Sequence, residues 1–579
     1  MVEYRVDFQE RNAHLIRVEA KFPVAGEALE LKLPVWTPGS YLVREFERHV
    51  QDVAAATEEG KPLAVRKIDK ATWRVEARGT KRVVVTYGVY ANDLTVRSAH
   101  ADDTHAFFNG ACVFLYADGK SPARITIVPP ADWKVTVALP EAQPNVFAAR
   151  DYDELVDSPF EVGTHELLTF TAQGKPHRLA IWGKAPIDRA TFTADIVKII
   201  DAAAALFGDG VPYDDYTFLL MLAPNQYGGL EHMRSCALLT SPFTFHPRKK
   251  YEELLELISH EFFHLWNVKR IHPEALGPFD YQREAYTRSL WVMEGVTSYY
   301  DRHLLVRAGL QKPDKYLEKL AEELSKIASI PGRKRQSLEE SSFDAWIKLY
   351  RPDENTTNST ISYYLKGGVV ALLLDLEIRA RTGGKRALDD VMRLLWSRFG
   401  KTGKGFADDR VQALCEEATG VELGAFFDRH VRGREEVDAE RILRTVGLQL
   451  SFDGDDEEGD KKAPYLGITT REDGDALLVA TAFDGGPAVA AGLYANDQLL
   501  ALDGFRVDSS TLKDRLDARR VGDKVRFTIF RRDELREVEV TLGEKPVEKF
   551  KIEPAASATD AEKAAYRAWL GEDWKPAED

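Results

Sequence analysis

The sequence predicts a multidomain α+β protein. A β-rich N-terminal part is followed by a middle part that is first α/β and then helical, and by a β-rich module near the C-terminus. Three observations carry this. The chain has 579 residues, enough for three or four domains. Its first ~175 residues show β-branched runs and strand-type alternation, and helical spacing of apolar residues takes over near Asp188. An acidic, glycine-containing run at 453–460 then reads as a solvated spacer. The expected divisions are an N-terminal domain at 1–178, a central domain at 179–450, a linker at 451–462, a module at 463–546 and a polar tail at 547–579 with a short helix at 560–570.

Composition sets the class. Hydrophobic residues make up 44% and charged residues 30%, as in globular proteins with ample core. The formal net charge of −15 argues against nucleic acid or an anionic membrane as a partner. Cys112, Cys236 and Cys415 are far apart and cannot all pair, so they read as reduced, packed thiols. No apolar run approaches the ~18 residues that span a bilayer, and the first residues lack the apolar core of a signal sequence. The expected location is the cytoplasm, or the periplasm or exterior if a signal has been removed.

In the N-terminal part, strands are expected at 4–8, 29–33, 82–90, 124–128 and 134–139. Between them, Trp36-Thr37-Pro38-Gly39-Ser40-Tyr41 marks a tight turn, either a structural turn held by aromatics or a wall of a cleft. Phe192, Ile196, Ile199, Ile200 and Ala203 define a helix that Gly208 and Gly210 end. The apolar run 216–222 fits a buried strand. It leads to Gly228-Gly229-Leu230-Glu231-His232, where two glycines let the backbone approach a ligand closely. By itself Glu231 reads as a loop carboxylate.

The residues His260-Glu261-Phe262-Phe263-His264 form an H-E-x-x-H motif. On a helix, residues four apart lie one turn along the same face, so both imidazoles can address one metal ion. Glu261 beside them is placed to act on water as a general base. No Gly or Pro occurs between Tyr251 and Ile271, so the helix is expected to continue to His272-Pro273. A zinc site of this type needs a third protein ligand and an open position. Glu294, 294 − 264 = 30 residues past His264 and on a returning helix, is the candidate. Thr297, Ser298 and Asp301 share its face. They are either plain helix polarity or acceptors that steady a ligand histidine.

HEFFHLWNVKRI followed by WVMEGVTSYY resembles the glycyl aminopeptidase family, PDZ-bearing zinc metallopeptidases of the gluzincin type with a thermolysin-like catalytic domain. Glu294-Gly295 matches the ligand motif of the wider aminopeptidase group, at a longer spacing. GGLEH is similar to that group's GAMEN motif, with Leu230 for Met and His232 for Asn. The resemblance implies that Gly228, Gly229 and Glu231 bind substrate, Glu231 through its free α-amino group. Ser362-Tyr363-Tyr364-Leu365-Lys366-Gly367 resembles a Y-x-K-G segment and implies Tyr364, or alternatively Tyr363, as the oxyanion donor. Read without the family, adjacent tyrosines are packing residues. Past the linker, Tyr465-Leu466-Gly467-Ile468 looks like the carboxylate-binding loop of a PDZ domain, with Asn496 where a Gly usually precedes Asp497.

The expectation is an aminopeptidase with one Zn²⁺ per chain, held by His260, His264 and Glu294, with Glu261 and Tyr364 as catalytic residues. Its substrates would be peptides with a free N-terminus; the family implies Gly or Ala there. A peptide ligand of the PDZ module is a further expected partner. The rivals are a thermolysin-like endopeptidase and a PDZ scaffold with an inert peptidase fold.

Overall fold

The computed structural model describes residues 1–117, 119–452, 463–546 and 549–576. Most of the expected linker lies outside the described residues; its first two, Ser451 and Phe452, end the strand Leu448–Phe452. The chain divides into two compact units. The first comprises Met1–Thr287, Tyr300–Lys312 and Asp389–Leu414; the second comprises Arg288–Tyr299, Pro313–Leu388 and Cys415–Asp579.

The first unit begins with β-structure. Strands Val2–Asp7, Leu15–Pro23, Arg82–Tyr90 and Val50–Thr57 lie side by side in an eight-stranded sheet. Their alternation buries one face, where Tyr4, Val6, Val18, Ala20, Val85 and Tyr87 enter the core. Further on, a five-stranded sheet has the order Glu166–Ala172, Lys175–Trp182, Tyr216–Leu222, Ser235–Thr240, Gly228–Glu231. Helix Arg189–Phe207 makes the crossover between the parallel strands Lys175–Trp182 and Tyr216–Leu222. Every residue of Tyr216–Leu222 is buried, which accounts for its unbroken apolar run. The edge strand Gly228–Glu231 pairs antiparallel with Ser235–Thr240, Glu231 opposite Cys236. The strand expected at 134–139 covers only Lys134–Thr136.

In the second unit, helices Pro313–Ser329 and Leu365–Thr382 precede a small sheet domain. Its sheet runs Ile468–Asp473, Ala476–Ala482, Gln498–Leu502, Lys524–Arg531, Glu534–Thr541, over a core of its own that includes Leu466, Val479, Leu493, Phe527 and Val540. Asn496 has φ +69°, a left-handed conformation that Asn tolerates better than most residues and that explains the Gly usual there. Past this domain the chain returns. Strand Phe550–Pro554 pairs with Leu448–Phe452, and helix Asp560–Leu570 brings the Trp569 ring edge-on to Tyr316 at 5.7 Å. The three cysteines are buried free thiols, and burial pushes Cys415 up to about 12. No helix among the described residues is long and apolar enough to cross a membrane.

Candidate active site

The helix that carries the H-E-x-x-H motif is Arg248–Phe263, anchored by buried Leu254, Leu255, Ile258 and Phe262. It stops well short of His272-Pro273, and the reason is local. In a continued helix the Asn267 carbonyl would accept from the Ile271 N–H. Here it lies 2.6 Å from Nδ1 of His264, and the Ile271 N–H donates to Trp266 instead. Val268, at φ 128°, sits in backbone space that a β-branched residue rarely occupies. His264 itself keeps helical dihedrals as the C-cap, so the one-turn relation to His260 survives. The two rings are 4.6 Å apart and nearly perpendicular.

Nδ1 of His260 lies 3.0 Å from Oδ2 of Asp301. Both motif histidines therefore have an acceptor at Nδ1. A neutral imidazole that donates from Nδ1 carries its lone pair on Nε2, so this pairing sets the metal-ligand tautomer of both. Of the three acceptor candidates beside Glu294, Asp301 takes that role, whereas Thr297 turns its hydroxyl back to the Met293 carbonyl at 2.6 Å. The acceptor for His264 is a main-chain carbonyl and had no side-chain signature to read.

Glu231 and Glu261 lie close to this helix end. Donor atoms of Glu231, Glu261 and His264 fall within 4.8 Å of one another, and all three side chains are buried. The edge strand allows this approach because it carries glycine. A Cβ on Gly229 would fall 1.8 Å from Oε1 of Glu261. The Arg97 guanidinium holds the Gly229 carbonyl at 3.1 Å. Gly39, at φ +84° in the Trp-Thr-Pro-Gly-Ser-Tyr turn, comes close to Glu231; a Cβ there would lie 2.7 Å from Oε1. That turn is also tied down by aromatics, since Trp36 donates to the Asp280 carbonyl at 2.9 Å. Glu231, Gly39, Trp36, Tyr41 and Lys269 line a cavity of about 440 Å³. Oε1 of Glu231 is buried there without a hydrogen-bond partner. Beside it, His232 pairs with Asp157 at 3.3 Å. Burial raises the Asp157 carboxyl, but Lys269 and His232 outweigh it and bring it down to about 2.

In the second unit, Glu294 lies in the π-helical turn Trp291–Gly295, which runs straight into helix Val296–Arg307. Two glycines bring this turn against helix Leu365–Thr382: a Cβ on Gly295 would meet the Cα of Gly367 at 2.6 Å. The same contact sets Glu294 near Tyr364, the N-cap of that helix. Burial, then the charge of Glu294, push the Tyr364 phenol well above its ordinary range. The Tyr364 and Tyr350 hydroxyls are 2.9 Å apart. Tyr363 stacks on Tyr364 but is fully buried, whereas Tyr364 is only partly so.

Family models match in chain order: the peptidase M61 N-terminal domain over residues 3–164, the M61 glycyl aminopeptidase over 253–370 and a PDZ domain over 464–542. A solved structure described as an aminopeptidase N family protein, from Idiomarina loihiensis, is 34% identical over 98% of this chain and 100% of its own, with a TM-score of 0.90. The chain belongs to the M61 glycyl aminopeptidase family. An M1 zinc metallopeptidase from Deinococcus radiodurans is more distant, at 14% identity, covering 75% of this chain and 93% of its own, with a TM-score of 0.48. No curated protein matches.

As an M61 protein the chain is a metallopeptidase with an N-terminal domain, a catalytic domain and a PDZ domain. In the PDZ domain of this M61 peptidase, Tyr465 ends the short strand Pro464–Tyr465, Ile468 begins the edge strand Ile468–Asp473, and Leu466-Gly467 link them, with Gly467 at φ +81°. The Leu466 and Gly467 carbonyls accept from Ala488 and Phe483, each at 2.9 Å.

Proposed function

We propose that this protein is a zinc aminopeptidase that removes N-terminal residues, Gly or Ala by preference, from peptides. The observation that carries the reading is the buried, unpaired Oε1 of Glu231 in a cavity wall close to Glu261 and His264. A carboxylate so placed calls for a cation, and a peptide's free ammonium is one that a peptidase meets at every turnover.

His260, His264 and Glu294 would hold one Zn²⁺. The donor set suits it: two imidazoles with Nδ1 engaged, and a carboxylate two turns before Asp301 on one helical run. When bound, zinc would polarise the scissile carbonyl and acidify water. Glu261 takes the proton of the attacking water and returns it to the leaving amine. Tyr364 donates a hydrogen bond from its phenol to the developing oxyanion. Glu231 binds the substrate ammonium and fixes the cut after the first residue. Gly228 and Gly229 let the substrate backbone lie along the edge strand. The preference for Gly or Ala follows the family. The PDZ domain would take a peptide as an added strand on Ile468–Asp473, its carboxylate end in the 465–468 loop.

Elemental analysis, together with glycyl and N-acetyl-glycyl peptide substrates, tests this. One zinc per chain, cleavage of the free peptide and refusal of the blocked one are expected. Full activity in chelator, or equal cleavage of both peptides, would overturn it.

A further inference from the structure

A second cluster of metal-ligand type lies in the N-terminal part of the first unit. Strands Ala99–Ala101 and His105–Phe108 form a hairpin whose turn is residues 102–104. A ring nitrogen of His100, a carboxylate oxygen of Asp102 and a ring nitrogen of His105 lie within 4.8 Å of one another. Nothing in the peptidase reading uses them.

Each group is held in place by its surroundings. The His105 side chain is fully buried, and its Nδ1 lies 3.0 Å from Oε1 of Glu161 on the neighbouring strand Phe160–Gly163. That carboxylate accepts a hydrogen bond from the Nδ1–H, so the lone pair of His105 sits on Nε2, a buried atom with no hydrogen-bond partner. Trp182 stacks flat on the ring at 3.6 Å between centroids. Gly163 makes room on the opposite strand; a Cβ there would meet that of His105 at 2.5 Å. Oδ1 of Asp102 is committed to the turn, accepting from the Thr104 N–H and hydroxyl at 2.7 Å and the His105 N–H at 3.0 Å. That commitment points Oδ2 at Nε2 of His100, 3.1 Å away. Two ligands bound at ~2.0–2.1 Å in tetrahedral geometry lie about 3.3 Å apart, so this spacing already suits one small ion.

We infer that His100, Asp102 and His105 form a second metal site, for a zinc-class divalent ion, with Glu161 steadying His105 from behind. Two imidazoles and one carboxylate select this class over Mg²⁺ or Ca²⁺, which take oxygen donors. As the ion binds, the His100 proton moves from Nε2 to Nδ1, so the ring ligates as a neutral imidazole, and water fills the remaining coordination. The ion cross-links the two strands of the hairpin at its turn.

The test uses the full chain with His260→Ala and His264→Ala, so that the signal belongs to the hairpin whether or not the zinc aminopeptidase reading holds. After chelator treatment, the chain is titrated with Zn²⁺ by calorimetry, and with Co²⁺ while its visible absorption and tryptophan emission are followed. One saturable equivalent is expected, with a rise in Tm, tetrahedral Co²⁺ absorption, and quenching that Trp182→Phe diminishes. Adding Asp102→Asn or, separately, His100→Gln should abolish that equivalent while far-UV dichroism stays unchanged. His100 and Asp102 lie nearer the surface than His105, so one of these variants suffices if the other fails to fold. No saturable binding, or equal binding in a folded ligand variant, overturns the site and leaves a hydrogen-bonded cluster only.

Discussion

Oδ2 of Asp301 lies 3.0 Å from Nδ1 of His260 and sits seven residues, two helical turns, past Glu294. One helical run thus carries both the proposed third ligand and the acceptor that orients the first. A carboxylate behind a ligand imidazole fixes its tautomer and raises its basicity, and loss of such a partner typically costs about 10–100-fold in metal affinity. Asp301→Ala should weaken zinc binding by roughly that factor in chelator competition, with activity regained at excess zinc. A variant that binds zinc normally yet is inactive would give Asp301 a different role.

The Gly228-Gly229 pair makes a contrast between neighbours. An alanine Cβ at 229 would fall 1.8 Å from Oε1 of Glu261, so the carboxylate must move, whereas at 228 it makes ordinary contacts with the end of the Arg97 side chain at 3.4 Å and with Val96 at 3.6 Å. A displacement of about 1 Å at the reacting groups can cost about 10²-fold in rate. Gly229→Ala should therefore lose about 10² in kcat and keep its zinc, while Gly228→Ala should keep kcat and zinc and raise KM, because a methyl there meets the substrate backbone and not Glu261. Equal effects from the two would remove Glu261 as the group that Gly229 accommodates.

Much of this was legible in the sequence because it is local. Two histidines one turn apart and an unbroken apolar strand each follow from a few neighbouring residues. What could not be read depends on distant contacts. The motif helix ends at Phe263 because the Asn267 carbonyl serves His264, an event without a Gly or Pro signal. The segment after the PDZ domain looked like a polar tail, yet Phe550–Pro554 pairs with a strand about 100 residues earlier. Helix Asp560–Leu570 was visible in its own periodicity; its packing partner Tyr316 was not.

The two tyrosines at the start of helix Leu365–Thr382 separate by exposure and charge. Tyr363 is fully buried, and its hydroxyl donates to that of Tyr350 at 3.3 Å. Tyr364 is partly accessible and feels Glu294. Loss of an oxyanion donor typically costs about 10²–10³ in kcat. Tyr364→Phe should show that loss with KM little changed, and Tyr363→Phe should instead lower Tm with little change in kcat. The reverse order of the two variants would move the assignment to Tyr363.

Glu231 decides between an exopeptidase and an endopeptidase. The residue is 4% exposed, one carboxylate oxygen has no hydrogen-bond partner, and the Gly39 turn closes over it. A substrate ammonium placed there forms charge-assisted hydrogen bonds, about twice as strong as neutral ones. Removing the carboxylate leaves that ammonium desolvated and unpaired, a cost of about 3–5 kcal/mol for a buried pair and less where water enters. At 1.36 kcal/mol per factor of ten, Glu231→Ala should lose roughly 10²–10³ in kcat/KM on free peptides. On blocked peptides the variant has no charge to lose, so whatever slow internal cleavage the wild type shows should be nearly unchanged. Glu231→Gln, which keeps the shape and loses the charge, should resemble the alanine variant if the ammonium is the target. If both variants match wild type on free peptides while the wild type cuts N-acetylated peptides equally fast, Glu231 binds no ammonium and the enzyme is an endopeptidase.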